Sequence, residues 1–172
     1  MKTILNPAKS AWKTILERPT KTVDDIEKTV LQIFDDVQKN GDLAVDKYTS
    51  LFDGVQIKEK LVTATEIEEA IQAISIELKE AIRVAHRNIL LFHKSQKTEK
   101  VAVETYRGVF CWQEKRPIQK VGLYIPGGTA PLFSTVLMLA IPAQIVGCKE
   151  IVLCSPPNKE GKIHPAILYA AN

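Results

Sequence analysis

Val121-Gly122-Leu123-Tyr124-Ile125-Pro126-Gly127-Gly128-Thr129-Ala130-Pro131 is an apolar run that opens into a glycine-rich loop. Val121 to Ile125 reads as a buried strand, and Ser134 to Val146 after the loop as an apolar helix. Glu150 to Cys154 then reads as a second buried strand and His164 to Ala171 as a second helix. A strand-helix-strand-helix order predicts parallel strands joined by crossovers, so the fold class is α/β. The only charged side chains from residue 121 onward are Lys149, Glu150, Lys159, Glu160 and Lys162, a composition that expects cover from other structure. Two parallel strands are few, because sheets usually have about four to six. The run also ends at Ala170-Ala171-Asn172 without a stop signal, so this unit is expected to be the start of a larger one.

Helices come first along the chain. Between Thr22 and Gly41, Val23, Ile26, Val30, Ile33, Phe34 and Val37 recur at helical spacing. Thr22 is placed to cap that helix, Asp24 and Asp25 suit its positive end, and Gly41 can take the left-handed stop. Asp42 is expected to cap a short second helix through Leu43, Val45, Tyr48 and Leu51, ending before Phe52-Asp53-Gly54. Thr65 with Glu68 predicts a capping box, and Ser75 a further cap for a long helix running to about Ser95, striped by Leu78, Ile82, Ala85, Ile89 and Phe92. Val101, Val103 and Thr105 then alternate with polar residues, Arg107-Gly108 signals a turn, and Val109 to Gln113 is extended, which predicts a hairpin. Arg116-Pro117 closes that segment. The expected division is a helical region over 1–97, hairpin and linker over 98–120, and the start of a nucleotide-binding domain over 121–172.

Bulk properties narrow the class. At 45% hydrophobic and 25% charged residues the 172-residue chain has the balance of a globular protein. The 23 basic and 20 acidic residues leave a formal +3, and Lys97 and Lys100 are interleaved with Glu99 and Glu104, so no nucleic-acid partner is expected. The apolar stretch around Val136 to Val146 is too short for the roughly 20 residues of a membrane span, and no membrane partner is expected. Cys111, Cys148 and Cys154 lack metal-type spacing and no secretory signal precedes them, which predicts reduced thiols in the cytoplasm.

Glycines 127 and 128 let backbone approach a ligand closely, and loops at the carboxyl ends of parallel strands are where open α/β sheets bind nucleotides. Ser134 and Thr135 add hydroxyls at a helix start that already favours phosphate. The spacing matches neither Gly-x-Gly-x-x-Gly nor a phosphate loop ending in Gly-Lys-Ser, so a tight structural turn is the competing reading. Tyr124 can stack on a base or ribose, or serve the core. His86 and His93 stand seven residues apart, about 10.5 Å along a helix, too far for one metal. His164 reads as a loop residue beside Pro165. Cys148 and Cys154 read as small hydrophobes before nucleophiles, with no histidine base placed by the local sequence.

From Lys115-Arg116-Pro117 through Gly122-Leu123-Tyr124-Ile125-Pro126-Gly127-Gly128, Ser134-Thr135-Val136-Leu137-Met138 and Ile141-Pro142-Ala143 to Gly147-Cys148 and Leu153-Cys154-Ser155-Pro156-Pro157, the sequence resembles histidinol dehydrogenase. Similarity continues upstream through Gly41-Asp42, Phe52-Asp53-Gly54 and Phe92-His93. The resemblance implies the N-terminal part of an enzyme more than twice this length. Its fold would be an N-terminal helical segment and hairpin, followed by an incomplete Rossmann-like, aldehyde-dehydrogenase-like unit. It implies NAD-dependent oxidation of L-histidinol to L-histidine in two steps through the aldehyde, the last step of histidine biosynthesis, in a zinc-containing homodimer. It further implies that Tyr124 contacts NAD, with Pro126, Gly127 and Gly128 as the neighbouring loop. The zinc ligands and the Glu-His acid/base pair of the family have no counterpart in these 172 residues, so no catalytic or metal residue is assigned and the chain alone is expected to be inactive. Two alternatives stand beside this: a self-contained nucleotide- or partner-binding module without catalysis, and an aldehyde dehydrogenase relative with a reactive cysteine.

Overall fold

The computed structural model describes residues 3–17, 23–127 and 130–172. Its elements form two compact units, Met1–Val45 and Asp46–Asn172. In the first, a 3-10 turn (Lys9–Ala11) leads into a short helix, α1 (Trp12–Leu16), and then a long one, α2 (Val23–Asn40). Trp12 Nε1 donates to the Pro7 carbonyl at 3.2 Å. Thr22 lies outside the described residues, as do the side chains of Asp24 and Asp25. The amphipathic spacing of α2 is present, but Ile26, Val30 and Phe34 are exposed.

Gly41 ends α2 with φ +53, as its sequence position predicts. Its carbonyl also accepts from Ala44 N and Val45 N, at 3.1 and 3.2 Å. Gly41 therefore starts the next helix, α3 (Asp42–Tyr48), and Asp42 sits inside the first turn instead of capping it, where its charge still favours the positive helix end. Past Tyr48 the chain makes one π-type turn, Thr49–Asp53, before Gly54 reverses it at φ +72. The helical path thus runs two residues beyond its expected end, with Phe52 stacked on Tyr48 at 5.8 Å.

In the second unit, α4 (Ala64–Ala73) begins one turn-step earlier than expected. Its capping box is Thr63 with Glu66, not Thr65 with Glu68. The sequence writes Thr-x-x-Glu twice in overlap, and the upstream copy adds Ala64 and Thr65 to the helix. Helix α5 (Ile76–Ser95) has the expected Ser75 cap, whose Oγ accepts from Leu78 N at 3.2 Å. Ile82 of α5 packs with Leu137 and Ile141 to form one buried cluster, flanked by Leu78, Ala85, Ile89 and Leu90. Phe92 does not join this stripe. The cover ends near Leu90, and Phe92 stands exposed with its ring edge-on to His93 at 5.3 Å.

The hairpin pairs β1 (Val101–Tyr106) with β2 (Val109–Gln113) in antiparallel register, Val103 opposite Cys111, with an irregularity between Glu104 and Tyr106. Gly108 turns it at φ +81 while its N–H donates to Glu104 Oε1 at 2.7 Å. Every residue of both strands is exposed.

Next come β3 (Lys120–Tyr124), α6 (Phe133–Val146), β4 (Glu150–Cys154) and α7 (Pro165–Ala171), the expected order within a residue at each end. Strands β3 and β4 pair in parallel, Lys120 opposite Glu150 through Tyr124 opposite Cys154. Neither strand is buried on both faces. Val121, Leu123, Ile151 and Leu153 are half-buried, whereas Gly122, Tyr124, Val152 and Cys154 are exposed. One face meets helical cover, as Ile125, Val136 and Ile167 form a second buried cluster with Phe133, Leu153 and Ile163 around it. Helix α6 is apolar on all sides and packs on α5, α7 and β3.

Candidate nucleotide-binding site

The parity of β3 sets the geometry of the loop that follows it. Side chains alternate across a strand, so Leu123 and Ile125 turn toward the helices while Tyr124 turns away. Ile125 is fully buried against Val136 and Ile167, and its N–H donates to the Cys154 carbonyl at 2.8 Å. That bond extends the parallel ladder one residue past Tyr124. Tyr124 is thereby fixed in backbone yet 61% exposed in side chain, an aromatic ring held at the carboxyl end of a parallel pair.

Pro126 and Gly127 follow, both exposed. Gly127 is required by close approach: a Cβ built on it would stand 2.7 Å from Pro156 Cγ. The loop after β3 is thus pressed onto the segment after β4, which leaves backbone at the strand ends with no intervening side chain. Gly128, the other glycine of the motif, lies outside the described residues.

Helix α6 begins beyond that loop. Its N-cap is Leu132, which has no side-chain cap bond, and Thr135 N bonds back to the Leu132 carbonyl at 3.0 Å. The N–H groups of an uncapped first turn, with exposed Ser134 beside them, favour an anionic group. Ser155 was not singled out from the sequence. It follows Cys154 on the parity of Leu153, and its Oγ is buried with no hydrogen-bond partner among the described residues. Tyr124, Pro126 and Gly127 thus stand at the carboxyl end of the β3–β4 pair, with the Tyr124 ring on its open face.

Of the remaining polar candidates only Cys154 stands beside the loop after β3. His86 is exposed and His93 Nδ1 meets Gln96 Oε1 at 2.7 Å, both on α5. His164 caps α7, its Nδ1 accepting from Ala166 N at 3.1 Å. Cys111 lies 3.6 Å from Thr105 Oγ1 on the hairpin, Cys148 is half-buried, and Cys154 is exposed beside Tyr124. A cavity of about 580 Å³ lies at the other end of β3, lined by Leu123, Ile145 and Cys148 and rimmed by His93, Lys115 and Arg116. None of its lining residues belongs to the loop after Tyr124. Among the described residues no three His, Cys, Asp or Glu side chains converge to hold a metal, so zinc does not fit this part of the fold.

The fold places the protein in the mixed α/β class, with a loop where a parallel strand pair ends. The profile of the family described as "Histidinol dehydrogenase" matches residues 16–172. Histidinol dehydrogenase of Bacteroides fragilis is 55% identical over 171 residues, covering 99% of this chain and 40% of that protein. The Shigella dysenteriae enzyme is 51% identical over 160 residues, 92% of this chain and 36% of that protein. A crystal structure of histidinol dehydrogenase from Elizabethkingia anophelis superimposes with TM-score 0.90 at 50% identity, over 100% of this chain and 40% of that one. The chain belongs to the histidinol dehydrogenase family, a family of oxidoreductases, and spans about two-fifths of the length of these relatives.

Proposed function

We propose that this chain forms one wall of the NAD site in an enzyme that oxidises L-histidinol to L-histidine through the aldehyde. The observation that carries this reading is Tyr124, an exposed ring on a fixed backbone at the carboxyl end of the β3–β4 pair. Its ring offers a stacking surface and its hydroxyl a hydrogen bond. Pro126, Gly127 and Gly128 bring backbone close to the bound nucleotide, and the uncapped start of α6 favours its phosphates. In this reading β3, α6, β4 and α7 open a Rossmann-like domain. NAD supplies the hydride acceptor when bound, while this chain's residues bind and orient it.

Acid/base and zinc chemistry belong, in this proposal, to the part of the family's length that these residues do not span. The 172-residue protein mixed with histidinol and NAD is therefore expected to give no rise in absorbance from NADH, and a steady rise would contradict the assignment. The complete enzyme is proposed as a cytoplasmic homodimer; among the described residues no helix is long and apolar enough to cross a membrane. Saturation-transfer NMR with NAD tests the wall itself. Ligand protons are expected to receive saturation from the wild-type chain and not from Tyr124→Ala, and equal transfer from both would overturn the role of Tyr124.

A further inference from the structure

We infer that the cavity beside the start of β3 takes a small amphipathic acid, a carboxylate carried on an apolar body. Its volume is about 580 Å³, within the roughly 300–1,000 Å³ of small-molecule sites. The ends of α5 and α6 and the segment that enters β3 enclose it. Leu123 of β3 and Pro142, Ile145 and Val146 of α6 give it apolar walls, whereas Lys97, just past α5, and Lys115 and Arg116, before β3, bring positive charge. Among the described residues no aspartate or glutamate lines it. An apolar pocket with convergent charges of one sign suits a ligand that is apolar over most of its surface and negative at one end.

Cations beside a helix end can instead serve its carbonyls, and that reading competes. Here backbone N–H groups already do so. Past α5, Gln96 N donates to the His93 carbonyl and Lys97 N to the Lys94 carbonyl, both at 3.2 Å. Past α6, Gly147 N donates to the Gln144 carbonyl at 3.1 Å and Cys148 N to the Ala143 carbonyl at 3.0 Å. The Lys115 head group is engaged elsewhere: its Nζ donates to Thr98 Oγ1 at 2.7 Å, which ties the segment before β3 to the one after α5 and holds the charge at the cavity. An ammonium has three donors, so this bond leaves others for a ligand oxygen. Arg116 is exposed and shares its charge with Glu114 at 3.0 Å, a pair that solvent screens. Lys97 and Lys115 are therefore the cations that meet the carboxylate.

Of the three cysteines only Cys148 lines the cavity, and it serves as the reporter in the test. Peptide mass spectrometry follows the rate at which iodoacetamide alkylates Cys111, Cys148 and Cys154 in the 172-residue chain, with decanoate, decanol or decylammonium added below micelle-forming concentrations. Decanoate is expected to slow Cys148 alone, and saturably. Decanol, which lacks the charge, is expected to need a concentration roughly three- to tenfold higher for the same effect, and decylammonium to leave the rate unchanged. Lys97→Gln combined with Lys115→Gln, exposed positions that leave the apolar walls intact, is expected to reduce decanoate to the potency of decanol. No slowing of Cys148, equal slowing of all three cysteines, equal potency of the three amphiphiles, or wild-type potency of decanoate on the lysine variant overturns the inference. So does Cys148 protection that rises with protein concentration in the absence of amphiphile, which would seat a second copy of the chain on the cavity.

Discussion

Gly127 carries the strictest constraint in the crevice. It has no positive φ to demand glycine; the demand comes from Pro156, which leaves no room for a methyl group. Gly127→Ala is expected to push the loop off the segment after β4, lowering NAD affinity while leaving far-ultraviolet circular dichroism unchanged, and an unchanged affinity would show that the contact is slack. Tyr124→Phe separates ring from hydroxyl: retention of most affinity would assign the interaction to stacking. In the sequence both residues stand out only as candidates, Gly127 in a glycine pair that a tight turn would equally explain and Tyr124 through the family resemblance.

Among the elements, the helix caps show where local rules suffice and where they compete. Ser75 had no rival and was read correctly, but Thr63 and Thr65 each precede a glutamate by three residues, and the longer helix won. Thr63→Ala is expected to destabilise the fold by about 1 kcal/mol, measured by denaturant titration. The partner carboxylate adds a pH dependence. Glu66 accepts from Thr63 N at 2.8 Å and Thr63 Oγ1 at 2.9 Å, and these bonds, the backbone one first, hold its pKa below the ordinary 4.5. A carboxylate with a lowered folded pKa stabilises the fold above its unfolded pKa and loses that contribution as pH falls through the folded value. Wild type should therefore be more stable than Glu66→Gln near neutral pH, with the gap closing in the acid range below the ordinary 4.5; a gap that persists there would deny the linkage. Packing between α5 and α6 is less local. Ile141 is 2% exposed between Ile82 and Leu137, and Ile141→Ala is expected to cost roughly 2–5 kcal/mol, whereas Phe92→Ala, on the same sequence stripe but outside the cover, should cost little. Periodicity shows which residues share a face; which of them meet another element depends on tertiary packing.

For the whole molecule, much apolar surface stands open. Val101, Val103, Phe110 and Trp112 are exposed on the hairpin, Met138 and Val146 on α6, and Val152 on β4. Composition from residue 121 onward anticipated a covered segment, and the structure covers one face of the β3–β4 pair. The relatives are about two and a half times as long as the part matched here, their matched share being 40%. Open apolar strands favour association, so the 172-residue chain is expected to self-associate through them. Light scattering at rising concentration is expected to show an increasing average mass, reduced by Trp112→Glu; a constant monomer mass would count against this. We propose that these residues fold into one wall of an NAD site. Isothermal titration of NAD into the 172-residue chain tests it most directly. Weak, saturable binding with one site per chain is expected, abolished in Tyr124→Ala; absence of heat, or heat unaltered by that substitution, would overturn the assignment.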